Sequence, residues 1–261
     1  MPAAIPDDIS SRSLPVTNQW VLDILAERQP WPRPILDLGA GEGYLSALIA
    51  RHLLARGETD LAGAIVACDL LPQYFRVPGV RCQQADLNAA LPFPGASFAA
   101  VCSVEVIEHL ENHFQFAREI YRILAPGGLA VITTPNLLNL RSRAKQFACG
   151  FPELFDPLPL DPDPRELGGH IHPVSWYFLA YALRKAGFAN LAVRVDRYRR
   201  SALFWGLFLA WPLRLATAGY RLLLGRRSGS LDSGNRGLLG AINSWPLLLG
   251  RTLIVTAEKP R

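Results

Sequence analysis

The stretch "ILDLGAGEGYLS" (residues 35–46) decides the fold. It opens as a short apolar strand, "PILDLG" (34–39), that delivers Asp37 at its carboxyl end. Gly39, Gly41 and Gly43 follow, and then a run with helical periodicity, "YLSALIARHLL" (44–54). Glycines at this junction let the backbone turn tightly and approach a ligand at the start of the helix. In open α/β sheets the ligand crevice lies there, beyond the carboxyl ends of the strands. The dinucleotide fingerprint GxGxxG uses its third glycine to pack helix on strand. Here the spacing is GxGxG, and Tyr44 stands in that third place. This argues against a pyrophosphate seated on the helix, and so against a nicotinamide-dependent oxidoreductase. It fits a smaller cofactor without phosphate.

Outward from that turn, apolar runs alternate with helix-like segments. "GAIVACDL" (63–70) reads as a second strand ending in Asp69, where one carboxylate can accept from both hydroxyls of a ribose. "GVRCQQADL" (79–87) reads as a third and places Asp86 near an adenine amino group. "SFAAVCSVEV" (97–106) is a fourth and "LAVITTPN" (129–136) a fifth. Between them "HFQFAREIYRIL" (113–124) is amphipathic, with Phe116, Ile120, Ile123 and Leu124 on one face. The following "APGG" is expected to end that helix with a left-handed glycine turn. Residues 137–169 read as irregular and Pro-rich. "SWYFLAYALRKAGF" (175–188) is a helix, and "NLAVRVDRY" (190–198) and "RTLIVTAEK" (251–259) are strands. Strands alternating with helices predict a parallel sheet covered on both faces.

The chain has 261 residues, 50% of them hydrophobic and 19% charged. That is long enough for one large domain with a full core, and it is not a membrane-protein composition. The net charge of +5 is unevenly spread. Residues 1–183 hold 13 basic and 19 acidic side chains, whereas residues 184–261 hold 14 and 3. A basic C-terminal third points to an anionic partner, a membrane surface or a nucleic acid, or else to an ordinary solvated face. Cys68, Cys82, Cys102 and Cys149 show no CxxC spacing and read as reduced, buried thiols of a cytoplasmic protein. The N-terminus has no apolar run of signal-peptide length, so no secretion is expected.

Taken in order, these motifs resemble a class I S-adenosylmethionine-dependent methyltransferase, of the methyltransferase type 11/23 and ubiquinone-pathway O-methyltransferase group. The resemblance covers about residues 16–200 and resumes at the last strand. It rests on "ILDLGAGEGYLS", "VACDL", "QQADLNAALPFPGASFAAVCSVEVIEHL", "REIYRILAPGGLAVITTPN" and "LRKAGF". It implies an α/β fold: a Rossmann-like seven-stranded sheet, six strands parallel and the last antiparallel, with helices on both faces. The expected organisation is one domain over 1–261 with embellishments at 137–170 and 201–250. The resemblance further implies that Asp37, Gly39, Ala40, Gly41 and Gly43 line the methionine part of S-adenosylmethionine. Asp69 and Leu70 would lie at the ribose, Asp86 with Leu87 at the adenine, and Ser103 and Val104 would approach from the fourth strand.

A sulfonium methyl is already an activated electrophile, so the protein must align a nucleophile with it and, for oxygen or nitrogen, remove a proton. "VEVIEHL" (104–110) supplies the candidates Glu105, Glu108 and His109. If the segment is helical, positions i, i+3 and i+4 share a face. His109 suits a general base or orienter. Two Glu and one His also make a ligand set for Mg²⁺ or another divalent metal, with His170 or His172 of "GGHIH" adding to it. A metal group of this kind is a feature of the ubiquinone-pathway O-methyltransferases and, more distantly, the small-RNA 2′-O-methyltransferases. Three roles stand for the group: metal ligands, metal-free base, or structural residues.

"SALFWGLFLAWPLRLATAGYRLLLG" (201–225) is the most apolar part of the chain. It belongs to a connection of about fifty residues between the sixth and seventh strands, where a hairpin needs only a few. A parallel sixth strand ends on the cofactor side, so the connection begins at that rim. The uncharged run before Arg214 is too short to span a bilayer, and Pro212 interrupts it. Arg214, Thr217 and Arg221 share one helical face, which predicts an interfacial helix with Trp205, Trp211 and Tyr220 at headgroup depth. "RVDRYRR" before it and "GRR" after it would meet lipid phosphates. "GLLGAINSWPLLLG" (237–250) is a candidate for a second shallow contact. The alternatives are a helical cap over the sheet or a dimer interface.

The sequence thus points to an enzyme at the cytoplasmic face of a membrane that O-methylates a hydrophobic or lipid-linked small molecule. The rivals are a nucleic-acid methyltransferase, which the apolar insert disfavours, and a non-catalytic cofactor-binding scaffold.

Overall fold

The computed structural model describes residues 4–160, 169–198, 200–227 and 233–261. The chain forms two compact units. One comprises Met1–Thr134, Ala182–Val193 and Ile254–Arg261, and the other Pro135–Tyr181 and Arg194–Leu253.

A seven-stranded sheet runs β1 (Ile35–Leu38), β2 (Ile65–Asp69), β3 (Arg81–Gln84), β4 (Phe98–Val104), β5 (Leu124–Pro135), β6 (Ala189–Val195) and β7 (Thr252–Glu258). Their spatial order is β3-β2-β1-β4-β5-β7-β6. The β1, β2, β3, β4 and β5 pairs are parallel, in registers such as Ile35 with Ile65 and Ser103 with Ile132. β7 is antiparallel: Gly127 N–H donates to the Lys259 carbonyl, and Lys259 N–H donates to that of Gly128. The expected six-plus-one sheet is therefore present. β1 is buried along its whole length and β5 from Leu129 to Pro135. Burial on both faces gives continuous apolar runs rather than alternation.

The first unit adds α1 (Pro15–Ala26), α2 (Tyr44–Ala55), the single turn α3 (Leu61–Ala64) and α4 (His113–Ile123). Val21, Leu25, Leu45, Ile49 and Leu53 pack with Ile35, Ile65 and Val131 in one core. α4 does not end through "APGG". Its cap, Leu124, is already extended and starts β5. The left-handed Gly127 instead turns a bulge between the pairs Phe98–Leu124 and Ala100–Leu129. Pro126 has no N–H to give the ladder, so the bulge is where it fits. The thiols also differ from expectation: Cys68 and Cys102 are buried, but Cys82 is half-buried and Cys149 exposed.

The second unit holds α5 (Leu140–Cys149), α6 (Trp176–Ala186, its first half), α7 (Arg200–Arg227), α8 (Ser233–Ala241) and α9 (Trp245–Leu249). α5 lies in the stretch read as irregular. The Asn139 side chain accepts from Ser142 N–H at its start, and Gly150 closes it in the left-handed region. Only Leu140 and Ser142 of its residues are buried, so it carries no apolar stripe to reveal it. α7 continues through Pro212. Ala210 and Leu213 of α7 pack with Leu140, Leu248 and Leu249. The Asn136 amide holds the end of α9 by donating to the carbonyls of Leu247 and Gly250, both at 2.9 Å.

Two expectations about the insert are corrected here. Arg214, Thr217 and Arg221 do share a face, but that face points inward. Arg214 Nε donates to the Asn243 carbonyl at 3.1 Å, and its guanidinium lies over Trp245. The Asn243 amide donates to Thr217 Oγ1 and, at 2.9 Å, to the Leu213 carbonyl. The long polar side chains find partners inside their own unit that water would otherwise supply. The 237–250 stretch is no shallow surface contact either, because Leu247, Leu248 and Leu249 are core. Trp205, Arg199, Arg200, Arg226 and Arg227 lie outside the described side chains. Among the described residues, no helix is long and apolar enough to cross a membrane.

Candidate functional site

The glycine loop is built as the sequence demands. Gly39, Gly41 and Gly43 have φ of 81°, 54° and 95°. Gly39 and Ala40 both donate N–H groups to the Cys68 carbonyl, at 2.9 and 3.0 Å, which ties the loop to the end of β2. A Cβ on Gly39 would sit 2.5 Å from Val106 Cγ2, and one on Gly43 2.7 Å from both Phe75 and Val77. A Cβ on Gly41 would meet no protein atom within 4 Å among those described. Gly39 and Gly43 are therefore packing requirements, whereas Gly41 faces open space.

Asp69 lies at the end of β2, half-buried. Its Oδ2 accepts from Gly41 N–H at 2.8 Å and its Oδ1 from Leu71 N–H at 2.9 Å. A carboxylate has about four acceptor positions, so two remain for a diol. Leu70 beside it is 42% exposed. Asp86 is exposed and turns one oxygen to Asn88 N–H, while Leu87 is buried. Ser103 is fully buried, and its Oγ has no hydrogen-bond partner among the described residues. Val104 beside it is half-buried. The open Gly41 and the two-sided Asp69 fit the expected S-adenosylmethionine, whereas Ser103 is covered by protein.

Asp37 takes a different part from the one expected. It is buried, and its Oδ2 accepts from Ser46 N–H at 3.0 Å and Ser46 Oγ at 2.7 Å. It thus caps the first turn of α2 and locks the loop's far end. Burial pushes its pKa up to about 6 despite those two bonds.

Glu105, Glu108 and His109 follow β4 as predicted, but they do not share a helical face. Glu105 is left-handed at φ 52°, and its N–H donates to Thr133 Oγ1 at 3.0 Å. Residues Ile107–His109 make one 3₁₀ turn. Its tighter winding sends Glu108 inside, fully buried, and leaves His109 exposed. Glu108 and His109 still offer polar atoms within 4.8 Å of each other, and Glu105 does not join them. Thr134 Oγ1 donates to Glu108 Oε2 at 3.1 Å, and Glu108 Oε1 has no partner among the described residues. Burial, with the Glu105 charge nearby, pushes the Glu108 pKa up to about 8, so the carboxyl is mostly neutral at pH 7. His170 and His172 belong to the second unit and are half-buried, with His170 tilted against Phe155.

Ser46, Thr133, Thr134 and Val106 were not picked out from the sequence. Two adjacent hydroxyls at the carboxyl end of an otherwise apolar strand, "VITTPN", were the available signal. An N-terminal strap was also missed. Ser10 N–H donates to Glu42 Oε2 at 3.2 Å, and Arg76 pairs with Asp8 and donates its backbone N–H to the Glu42 carbonyl. Ile9 is buried in the same core as Leu45 and Val77. Residues 8–10 thus brace the glycine loop from outside.

Residues 36–132 match the family model described as a methyltransferase domain. Over 153 residues the chain is 32% identical to a protein of Mycolicibacterium smegmatis named a probable S-adenosylmethionine-dependent methyltransferase, covering 51% of this chain and 56% of that one. Over 135 residues it is 31% identical to a ubiquinone biosynthesis O-methyltransferase of Parvibaculum lavamentivorans, covering 49% of each. The chain spans about half the length of these curated relatives. A solved S-adenosylmethionine-dependent methyltransferase from Archaeoglobus fulgidus has the same fold at 17% identity, with a TM-score of 0.53 over 93% of this chain and 94% of that one. Residues 36–132 are therefore similar to a methyltransferase domain, and relatives that match this chain are named for S-adenosylmethionine.

Proposed function

We propose that the protein O-methylates a hydrophobic or lipid-linked small molecule at a membrane surface. One observation carries the site reading: Val106 lies against Gly39, so the segment bearing Glu105, Glu108 and His109 abuts the glycine loop. A cofactor held by Asp69 and Gly41 is then next to the acid–base residues. S-adenosylmethionine, when bound, supplies an activated methyl group. His109, exposed, takes the proton of an incoming hydroxyl. Glu108, neutral and fixed by Thr134, donates a hydrogen bond rather than accepting a proton. An apolar acceptor is favoured by the insert, whose α7 turns large apolar side chains such as Trp211 and Leu222 outward. The curated relatives include one named for O-methylation, which supports oxygen as the acceptor.

A second reading uses the closeness of Glu108 and His109. Glu108 and His109 are the residues of this unit that would hold Mg²⁺ or a similar cation. A chelator that abolishes activity, with Mg²⁺ restoring it, supports this form. Full activity after metal stripping removes it.

The reaction is tested by incubating the protein with methyl-labelled S-adenosylmethionine and a total membrane extract. Label is expected in the organic phase, and it should be lost in the Asp69→Ala and His109→Ala variants. Label found only in nuclease-sensitive material would overturn the lipid reading in favour of a nucleic-acid methyltransferase. No labelled product in any fraction would leave the non-catalytic module.

A further inference from the structure

The longest helix of the protein is inside out. From Phe208 to Leu224 the inward positions of α7 are Ala210, Leu213, Arg214, Thr217, Arg221 and Leu224, all buried or half-buried. The other eleven positions are exposed, and none carries a charge or an amide. At roughly 100° per residue these eleven fill one unbroken arc of about 200° around the helix, and they extend over about 23 Å of its length. Phe208, Trp211, Leu215 and Leu222 on that arc are 63%, 65%, 70% and 70% exposed, and Leu223 is 56% exposed. A surface helix ordinarily shows the reverse pattern, with an apolar stripe of about 100° or more turned inward and polar residues outward.

We infer that this arc is sunk into the hydrocarbon of a lipid bilayer, with α7 lying in the membrane plane and its arginines facing the protein. The inference rests on the membrane reading proposed above and specifies how the contact is made.

Three observations choose lipid over a protein partner. The first is the width of the arc. One partner protein covers one side of a helix, whereas a fluid medium wraps the whole lower half of it. The second is charge. The segments 135–181 and 194–253 together hold 14 basic and 7 acidic residues, which complements an anionic lipid surface. The third is that Arg214 and Thr217 of the polar stripe already have partners. Arg214 is bonded to the Asn243 carbonyl and stacked on Trp245, and Thr217 is bonded to Asn243, so immersion strands neither of them. No described helix can span the bilayer, which leaves the in-plane orientation.

This arrangement differs measurably from headgroup docking. If phosphate–arginine contacts held the protein, high salt would release it. If apolar insertion holds it, salt changes little and Trp211 sits among acyl chains. The test uses vesicles of phosphatidylcholine and phosphatidylglycerol, with flotation in about 0.1 M and about 1 M salt. A second set of vesicles carries bromine on the acyl chains, which quenches nearby tryptophan. We expect flotation to change less than about threefold between the two salts. We expect acyl-bromine quenching in the wild type that the Trp211→Phe variant loses. Joint replacement of Trp211, Leu215, Leu222 and Leu223 by Ser should lower partitioning at least about 100-fold, the order set by the apolar area removed. The same variant should keep its melting temperature and cofactor affinity, since those side chains are already outside.

Flotation that disappears at high salt, without Trp211 quenching, overturns the insertion and leaves electrostatic docking and the membrane reading intact. No flotation at either salt overturns both. A dimer that dissociates on dilution and ignores vesicles assigns the arc to a second copy. If the fourfold variant unfolds, the arc is part of the folded core, and the quenching of Trp211 in the wild type still decides its depth.

Discussion

Thr134 donates its hydroxyl hydrogen to Glu108 across 3.1 Å, and neither side chain reaches solvent. That bond holds one oxygen of a carboxyl that burial keeps protonated to about pH 8. A carboxyl whose folded pKa is raised from 4.5 lends stability that is fully present below about 4.5 and lost as the pH rises through about 8. Glu108→Gln substitutes a neutral amide that never titrates. Denaturation at pH 5 should find the two proteins similar. By pH 9 the variant should be more stable by a few kcal/mol, since each tenfold change in proton affinity is worth about 1.4 kcal/mol. Parallel stability curves across that range would mean that Glu108 ionises freely.

Asp69 is expected to dominate cofactor affinity. It holds Gly41 and Leu71 in place and keeps acceptor positions for a diol. Asp69→Ala should weaken S-adenosylmethionine binding by about 1.5–3 kcal/mol, the range for hydrogen bonds to a charged group. Titration calorimetry giving an unchanged affinity would place the ribose elsewhere.

His109 is exposed, so replacing it should not disturb the fold. His109→Ala should cut turnover about 10²-fold or more while leaving the melting temperature and cofactor affinity in place. An equal loss of affinity and rate would make it a binding residue.

Gly43 and Gly41 should fail in different ways. Gly43→Ala puts a Cβ 2.7 Å from Phe75 and Val77 at φ 95°, and should cost about 2 kcal/mol or more of stability. Gly41→Ala meets no protein atom and carries only the backbone penalty of about 1 kcal/mol. Its main effect should be on the cofactor, read as a raised Kd in a near-normally stable protein. Equal affinities for Gly41→Ala and the wild type would show that the ligand does not pass over this residue.

The glycine loop, Asp69 and the sheet were legible because each is a local demand. A tight turn needs glycine, and a parallel strand buried on both faces needs an unbroken apolar run. Glu105, Glu108 and His109 were rightly placed just after β4, but their conformation was not foreseen. One left-handed residue at Glu105 and a 3₁₀ turn replace the assumed α-helical spacing, and no residue pattern announces that choice. α5 stayed hidden because its signals were only Asn139 and Gly150, with almost no apolar face between them. The α7 stripe was read correctly as a stripe. Which way it faced depended on Asn243 and Trp245, both outside the helix, and a periodicity says only that two faces differ.

The position of β7 bears on how the protein is made. β6 sits at the sheet edge, and its neighbour is β7, the last strand of the chain. While the ribosome is still adding α7, α8 and α9, β6 has been translated but has nothing to pair with. Only when Thr252–Glu258 emerge can that strand slide between β5 and β6, joining Asn190 to Glu258 and the backbone of Asp196 to Thr252. The nascent chain therefore holds its most apolar helix and an unpaired strand in the open until β7 has been made. A chain that stopped just before β7 would leave the sheet without the strand that lies between β5 and β6, and such a product belongs to chaperones and proteases.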